Sequence, residues 1–127
     1  MVKVLITDDS EESRMLLGRI LKDSFNVKII EAENGKEALK KIQLEKPDIV
    51  FLDYEMPFLN GKETLQAIRS TPEYKDLPVV IVTAHSESDL VKQFLSYKVS
   101  AYLLKPLSAD YVVKRMSAVF PNFIENH

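Results

Sequence analysis

The sequence predicts a single doubly wound α/β domain, in which helices cover both faces of a five-stranded parallel sheet. Strand-like and helix-like segments alternate five times along the 127 residues, and repeated βα units produce parallel sheets. Two of the strand-like segments, residues 49–52 and 79–82, are continuous apolar runs, which is typical of strands buried on both faces. No linker or low-complexity segment interrupts the alternation, so we expect one domain over residues 1–120 and a short tail over residues 121–127.

The first strand–helix unit opens the chain. Predicted β1 covers residues 2–6, and predicted α1 follows the polar stretch Thr7-Asp8-Asp9-Ser10 and ends near Lys22. Asp9 or Ser10 suits the N-cap of this helix, because a short side-chain oxygen can accept a hydrogen bond from a free N–H of the first turn. The unit therefore places two adjacent carboxylates directly after a strand.

The remaining elements follow in the same alternation. The turn signal Asn34-Gly35 separates a strand from a helix, and Lys46-Pro47 ends that helix, because the residue before a proline disfavours the helical conformation. The predicted ranges are β2 27–32, α2 36–45, β3 49–52, α3 62–70, β4 79–82, α4 86–97, β5 99–104 and α5 109–119.

Composition excludes several classes of protein. The net charge of −2 leaves no basic surface to neutralise phosphates, which argues against electrostatic binding of nucleic acid. The chain has no cysteine, so disulfides, thiolate metal sites and cysteine nucleophiles are excluded. It has no apolar run long enough to span a bilayer, and its N-terminus lacks the layout of a signal peptide. We expect a cytoplasmic protein that binds neither nucleic acid nor membrane.

Three carboxylates follow two of the predicted strands. Asp8 and Asp9 come after β1, and Asp53 comes directly after β3. Because the carboxyl ends of parallel strands lie at one edge, these acids are expected to meet there. At a separation of ~4 Å and an effective dielectric near 20, each like-charge pair would cost on the order of 4 kcal/mol. Such a cluster takes up protons or binds a cation, and a set of hard oxygens favours Mg²⁺.

Two further side chains reach the same edge. Thr83 directly follows β4 and offers a hydroxyl donor, and Lys105 directly follows β5 and offers a positive charge suited to an anion. A metal, a lysine and a hydroxyl around one carboxylate are the parts needed for phosphoryl transfer, with Asp53 as a possible covalent acceptor.

The sequence closely resembles the receiver domain of bacterial two-component response regulators, chemotaxis receivers in particular. The resemblance covers nearly the whole chain and is carried by Thr7-Asp8-Asp9 with Arg14, Asp53-Tyr54-Glu55-Met56-Pro57 with Gly61, Thr83-Ala84, and Tyr102-Leu103-Leu104-Lys105-Pro106. It implies that residues 1–120 form a receiver domain with the flavodoxin-like strand order 2-1-3-4-5, which chemotaxis receivers share. It also implies a signalling switch rather than an enzyme.

The resemblance implies roles for the acids. Asp53 would accept the phosphoryl group. Asp9, Asp53 and the backbone carbonyl of Glu55 would bind Mg²⁺ directly, with Mn²⁺ as a substitute, and Asp8 would act mainly through water. The phosphoryl donor would be a phosphohistidine of a sensor kinase or of a histidine phosphotransfer protein.

The resemblance also implies a switch. Thr83, Lys105 and the backbone N–H of Ala84 would contact the phosphoryl oxygens. As Thr83 moves toward the phosphoryl group, Tyr102 would turn inward and reshape the face formed by α4, β5 and α5, where a downstream protein would bind. A phosphorylation-linked homodimer is compatible with this arrangement, but Ser100-Ala101 replaces the acidic residues that pair across the α4-β5-α5 dimer of many DNA-binding regulators.

Two departures from the family pattern lead to expectations of their own. Phe94, Tyr97 and Lys98 stand where the family often has small alanines and a final glycine, so we expect an unusual end to α4, because a left-handed residue without glycine is strained. Glu55 and His85 lie two positions after Asp53 and Thr83, and we expect them to influence the lifetime of the phosphoryl group.

Simpler interpretations compete with these roles. Asp9 and Thr83 can be ordinary helix caps, Tyr102 a core residue and His85 an exposed loop residue. At the level of the whole protein, the alternatives are an aspartyl-nucleophile hydrolase and a receiver-like scaffold that is not phosphorylated. The hydrolase is disfavoured because Asp53 follows the third strand and no length remains for a cap over the substrate. The scaffold is disfavoured because the acids, Thr83 and Lys105 are all present.

Overall fold

The computed structural model describes residues 1–56, 60–84 and 97–121, and it contains one five-stranded parallel sheet. The strands lie in the order β2-β1-β3-β4-β5, so the expected order 2-1-3-4-5 is confirmed. The strands are β1 Val2–Thr7, β2 Val27–Ala32, β3 Ile49–Asp53, β4 Val79–Thr83 and β5 Ala101–Leu104.

Four α-helices lie within the described ranges. They are α1 Glu11–Ser24, α2 Gly35–Glu45, α3 Gly61–Ser70 and α5 Ala109–Val119, and a 3₁₀ turn covers Pro72–Tyr74. The label α5 is kept because the predicted α4, apart from Tyr97, lies outside the described residues. No helix in the described ranges is both long and apolar enough to cross a lipid bilayer.

The boundaries differ from the predicted ones where side-chain caps and ladder pairs extend or shorten an element. Helix α2 begins at Gly35 because Asn34 is its N-cap and accepts the N–H of Glu37 at 2.8 Å. Ser10 caps α1 in the same way, accepting the N–H of Ser13 at 3.2 Å. Thr7 and Thr83 extend β1 and β4 by one residue each, because they pair with neighbouring strands.

Apolar side chains pack on both faces of the sheet, as the continuous apolar strands predict. One cluster joins α1 and α5 to one face and includes Ile6, Leu21 and Phe51; the other joins α2 and α3 to the opposite face and includes Leu52 and Leu65. Phe51 and Leu52 are neighbours in β3, yet they belong to different clusters, because successive side chains of a strand point to opposite faces. Two fully packed faces leave the strand ends as the place for polar side chains.

Candidate phosphoacceptor site

The three predicted acids meet at the carboxyl edge of the sheet. One carboxylate oxygen from each of Asp8, Asp9 and Asp53 lies within 4.8 Å of the others. Asp8 is 6% exposed and Asp53 is 3% exposed, whereas Asp9 faces solvent. Two buried acids and one exposed acid thus form a cluster that is open on the side of Asp9.

Lys105 reaches both buried acids. Its Nζ lies 3.4 Å from Oδ1 of Asp53 and 3.5 Å from Oδ2 of Asp8. The backbone N–H of Lys105 donates to the carbonyl of Thr83 at 2.8 Å, which fixes the start of the lysine side chain beside β4. Burial alone would lower the pKa of Lys105, but the charges of Asp53 and Asp8 outweigh that effect, and the net shift is upward. The lysine therefore stays charged.

One ammonium does not balance three carboxylates. Burial and then the charge of Asp8 raise the pKa of Asp53 from 3.8 to about 6, against the opposing effects of Lys105 and of the Glu55 N–H. In the absence of a further cation, the charged form of Asp53 is therefore less favourable than that of an ordinary aspartate. A divalent cation would relieve this imbalance, and the all-oxygen donor set fits Mg²⁺.

The backbone around Asp53 is held by a close approach of α3. The N–H of Gly61 donates to the carbonyl of Tyr54 at 3.1 Å, and the N–H of Tyr54 donates to the carbonyl of Val82 at 2.9 Å. A Cβ added at Gly61 would lie 2.7 Å from Cα of Tyr54 and 2.8 Å from the carbonyl oxygen of Asp53. Only glycine fits here without backbone displacement. The N–H of Glu55 donates to Oδ1 of Asp53 at 3.3 Å and helps to orient the carboxylate.

Asp8 is held through its backbone and both carboxylate oxygens. Its N–H donates to the carbonyl of Ala32 at 3.1 Å, its Oδ1 accepts the N–H of Ser10 at 2.9 Å, and its Oδ2 faces Lys105. Arg14 adds a contact that the sequence does not predict: its Nη1 donates to the carbonyl of Asp8 at 2.7 Å. The position of Arg14 in the motif after the two acids was the available signal, but its partner could not be named from spacing.

Thr83 and Tyr102 lie on adjacent strands near the cluster. Thr83 is buried and pairs with Leu104, and Tyr102 pairs with Ile81. Tyr102 is half-buried and packs against the apolar cluster on the α2 and α3 face of the sheet. This burial raises the pKa of its hydroxyl. The structure thus places both members of the predicted switch pair on one side of the site.

A cavity of about 440 Å³ opens beside the acids, between the start of α1 and the segment after β5. Asp8, Ala84 and Lys105 line its polar end, and Leu16 and Leu107 are among its apolar lining. Ala84 is exposed. The cavity therefore reaches Asp8 and Lys105, the two charged neighbours of Asp53.

The other predicted residues are divided between described and undescribed parts of the chain. Glu55 is exposed beside Asp53, whereas His85 and Phe94 lie outside the described residues. Lys98 has a φ of 57° and is therefore left-handed. A right-handed Lys98 would have argued against the expected unusual end of α4. The body of that helix lies outside the described residues.

Comparison with known proteins identifies the family. The sequence-family model named "Response regulator receiver domain" matches residues 4–117. The chain belongs to the response regulator receiver family. Its fold, strand order and strand-end acids agree with that assignment, and the receiver is of the CheY-like type.

Individual relatives differ in how much of their length this receiver covers. It is 37% identical over 117 residues to the chemotaxis protein CheY of Listeria monocytogenes, covering 91% of this chain and 96% of that protein. It is 43% identical over 88 residues to the protein-glutamate methylesterase/protein-glutamine glutaminase of Bacillus subtilis, covering 68% of this chain but 24% of that protein. It also spans 54% of the transcriptional regulatory protein LnrK of Bacillus subtilis.

A solved structure gives the same result. The CheX-CheY-BeF3-Mg+2 complex from Borrelia burgdorferi contains a chain that superposes with a TM-score of 0.84 at 31% identity, covering 94% of this receiver and 89% of that chain.

Proposed function

We propose that this receiver is a phosphorylation-dependent switch that accepts a phosphoryl group on Asp53. The observation that carries the proposal is the placement of Lys105 Nζ at 3.4 Å from Asp53 and 3.5 Å from Asp8, within a cluster of three acids that needs a further cation. Asp53 is the more deeply buried of the two buried acids, and its neighbours supply both positive charge and hydrogen-bond donors.

Asp9, Asp53 and the backbone carbonyl of Glu55 would hold Mg²⁺, or Mn²⁺ in its place, and Asp8 would contribute through water. The ion would neutralise negative charge shared by the carboxylates and the incoming phosphoryl oxygens. Lys105, the Thr83 hydroxyl and the Ala84 N–H would receive the remaining phosphoryl oxygens, since donors fixed in place before the reaction stabilise developing charge best.

The donor class is proposed from the family to which the chain belongs. A carboxylate oxygen of Asp53 forms a bond to phosphorus while the P–N bond of a phosphohistidine breaks, and the imidazole leaves with the electron pair of that bond. The donor would be a sensor histidine kinase or a histidine phosphotransfer protein. The exposed position of Asp9 supports this proposal, because the acid cluster is open to another molecule on that side. Small acyl phosphates would serve as donors as well.

The output would pass through Thr83 and Tyr102 to the face formed by α4, β5 and α5. Contact of Thr83 with the phosphoryl group would allow Tyr102, now half-buried, to move further inward and change that face for a downstream protein or a second copy of the chain. In the Borrelia complex, CheY is assembled with CheX; for this receiver, a protein partner is a proposal by analogy.

Incubation with acetyl phosphate and Mg²⁺, followed by intact-mass measurement, tests the function. We expect the mass of one phosphoryl group to be gained by the natural chain and not by Asp53→Ala, and the gain to be abolished by EDTA. Continuous turnover of many phosphate esters would instead indicate a hydrolase, and absence of any gain would indicate a scaffold. Circular dichroism of Asp53→Ala confirms that the variant is folded.

A further inference from the structure

Arg14 connects the loop after β1 to two other elements. It lies near the start of α1, and its side chain is 13% exposed. Its Nη1 donates to the carbonyl of Asp8 at 2.7 Å, and its Nε donates to Oε1 of Glu31 at 3.0 Å. The guanidinium therefore links α1, the end of β1 and the edge strand β2.

The carbonyl of Asp8 needs such a donor because the β1–β2 ladder stops at this point. The last pair of that ladder is Thr7 with Ala32, and the N–H of Asp8 uses the carbonyl of Ala32. The Asp8 carbonyl belongs to the peptide unit that joins Asp8 to Asp9. Its orientation therefore sets the direction in which the chain presents the exposed carboxylate of Asp9.

We propose that Arg14 is a positioning residue for the cation site, holding the Asp8–Asp9 peptide so that Asp9 and Asp53 face the same ion. Glu31 orients the guanidinium by accepting its Nε hydrogen, as partners beyond the ligands commonly do at metal sites. This inference rests on the proposed function, because it assumes that the acids bind Mg²⁺.

The charge and the geometry of Arg14 have opposite effects on Mg²⁺ binding. A positive charge near the site repels the ion, so removal of the charge alone would strengthen binding. Loss of the hydrogen bond releases the Asp8–Asp9 peptide, so removal of the positioning contact weakens binding. The sign of the change in affinity therefore separates the two effects.

The test is titration of the ¹⁵N-labelled protein with MgCl₂ at constant ionic strength, followed by amide shifts. We expect Arg14→Gln to weaken Mg²⁺ binding about tenfold, the lower end of the range for removal of such partners. Arg14→Lys keeps the charge but not the planar two-point geometry, and it is expected to weaken binding nearly as much. Glu31→Gln is expected to cause a smaller loss.

Arg19→Gln is the matched control, because Arg19 is exposed on the same helix and its loss changes the net charge equally. It is expected to bind Mg²⁺ as the natural chain does, or slightly more tightly. The same spectra report whether each variant is folded. If Arg14→Gln does not fold, Arg14→Lys provides the test. Unchanged or tighter binding in folded Arg14 variants would overturn the inference, whereas absence of saturable binding to the natural chain would overturn the proposed function itself.

Discussion

Arg69 anchors Lys98 in a left-handed conformation at the entrance to β5. Nη2 of Arg69 donates to the carbonyl of Lys98 at 2.9 Å, and its other two donors bind the carbonyls of Tyr97 at 2.7 Å and Tyr74 at 3.0 Å. Gln66 adds a hydrogen bond of 2.7 Å to the Tyr97 hydroxyl. Helix α3, which begins against the backbone of Asp53, thus also holds the segment that leads into the strand of Tyr102.

Replacement of Lys98 by glycine tests the strain in that segment. Lys98 has a φ of 57°, and its ion pair with Asp76 joins two largely exposed side chains, so little is lost with the side chain. We expect Lys98→Gly to raise the free energy of unfolding by about 1 kcal/mol, measured in urea. Lys46→Gly, at the C-cap of α2 with a φ of 49°, should raise the free energy of unfolding in the same way. Lys114→Gly lies inside α5 and should lower it by about 1 kcal/mol. Equal losses in all three variants would contradict the idea.

The sequence made most of the sheet predictable because the strands are buried on both faces and alternate with amphipathic helices. The ranges of β2 and α5 match the predicted ones, and the strand-end acids meet as expected. The contacts of Arg69 and Arg14 were not predictable. Arg69 binds residues 28 and 29 positions away, and Arg14 binds a backbone carbonyl that is free only because β2 ends. Neither partner is encoded in local periodicity.

The raised pKa of Asp53 predicts a pH dependence of stability in the absence of metal. Because the folded-state pKa of about 6 lies above the ordinary 3.8, the folded protein is relatively favoured at pH 4 and loses that advantage as the pH rises toward 6. The integrated loss is on the order of 3 kcal/mol. Asp53→Asn removes this titration, so its stability relative to the natural chain should rise between pH 4 and 6 and then level off.

Urea unfolding of both proteins in EDTA, from pH 4 to 7.5, measures this difference. The difference between the two curves measures the contribution of Asp53 together with its charge interaction with Asp8. A difference independent of pH would contradict the assigned pKa. Addition of Mg²⁺ at pH 7 should stabilise the natural chain more than Asp53→Asn.

A buried hydroxyl beside the site offers a stabilising substitution. Thr7 is 1% exposed, and its Oγ1 has no hydrogen-bond partner among the described residues. Thr7→Val should raise the free energy of unfolding by about 1 kcal/mol, because it removes a desolvated polar group. Thr64 is the matched control: it is also fully buried, but its hydroxyl donates to the carbonyl of Asn60 at 2.8 Å. Thr64→Val should therefore destabilise the protein, and a stabilising effect there would undermine the reasoning.

Gly61 permits the contact between α3 and the backbone of the acceptor. Gly61→Ala forces backbone atoms apart, since the new Cβ would lie 2.7 Å from Cα of Tyr54. We expect the free energy of unfolding to fall by about 1–3 kcal/mol and phosphorylation by acetyl phosphate to be slower. Gly18→Ala is the control, because its Cβ would meet only side-chain atoms at 3.7 Å or more. That change in α1 should stabilise the protein by up to about 1 kcal/mol. Equal effects of the two changes would refute the steric argument.

The side chain of Glu55 is expected to set how long the phosphoryl group survives. Glu55 is exposed, and its backbone N–H donates to Oδ1 of Asp53 at 3.3 Å, so a charged side chain begins directly beside the acceptor carboxylate. Glu55→Gln keeps the size but removes the charge, and it should change the decay rate of phospho-Asp53 several-fold, as should His85→Ala. Decay is followed by intact mass after removal of acetyl phosphate, with Asp23→Asn, an exposed acid at the far end of α1, as the control. Unchanged decay in both the Glu55 and the His85 variants would exclude a role for these positions.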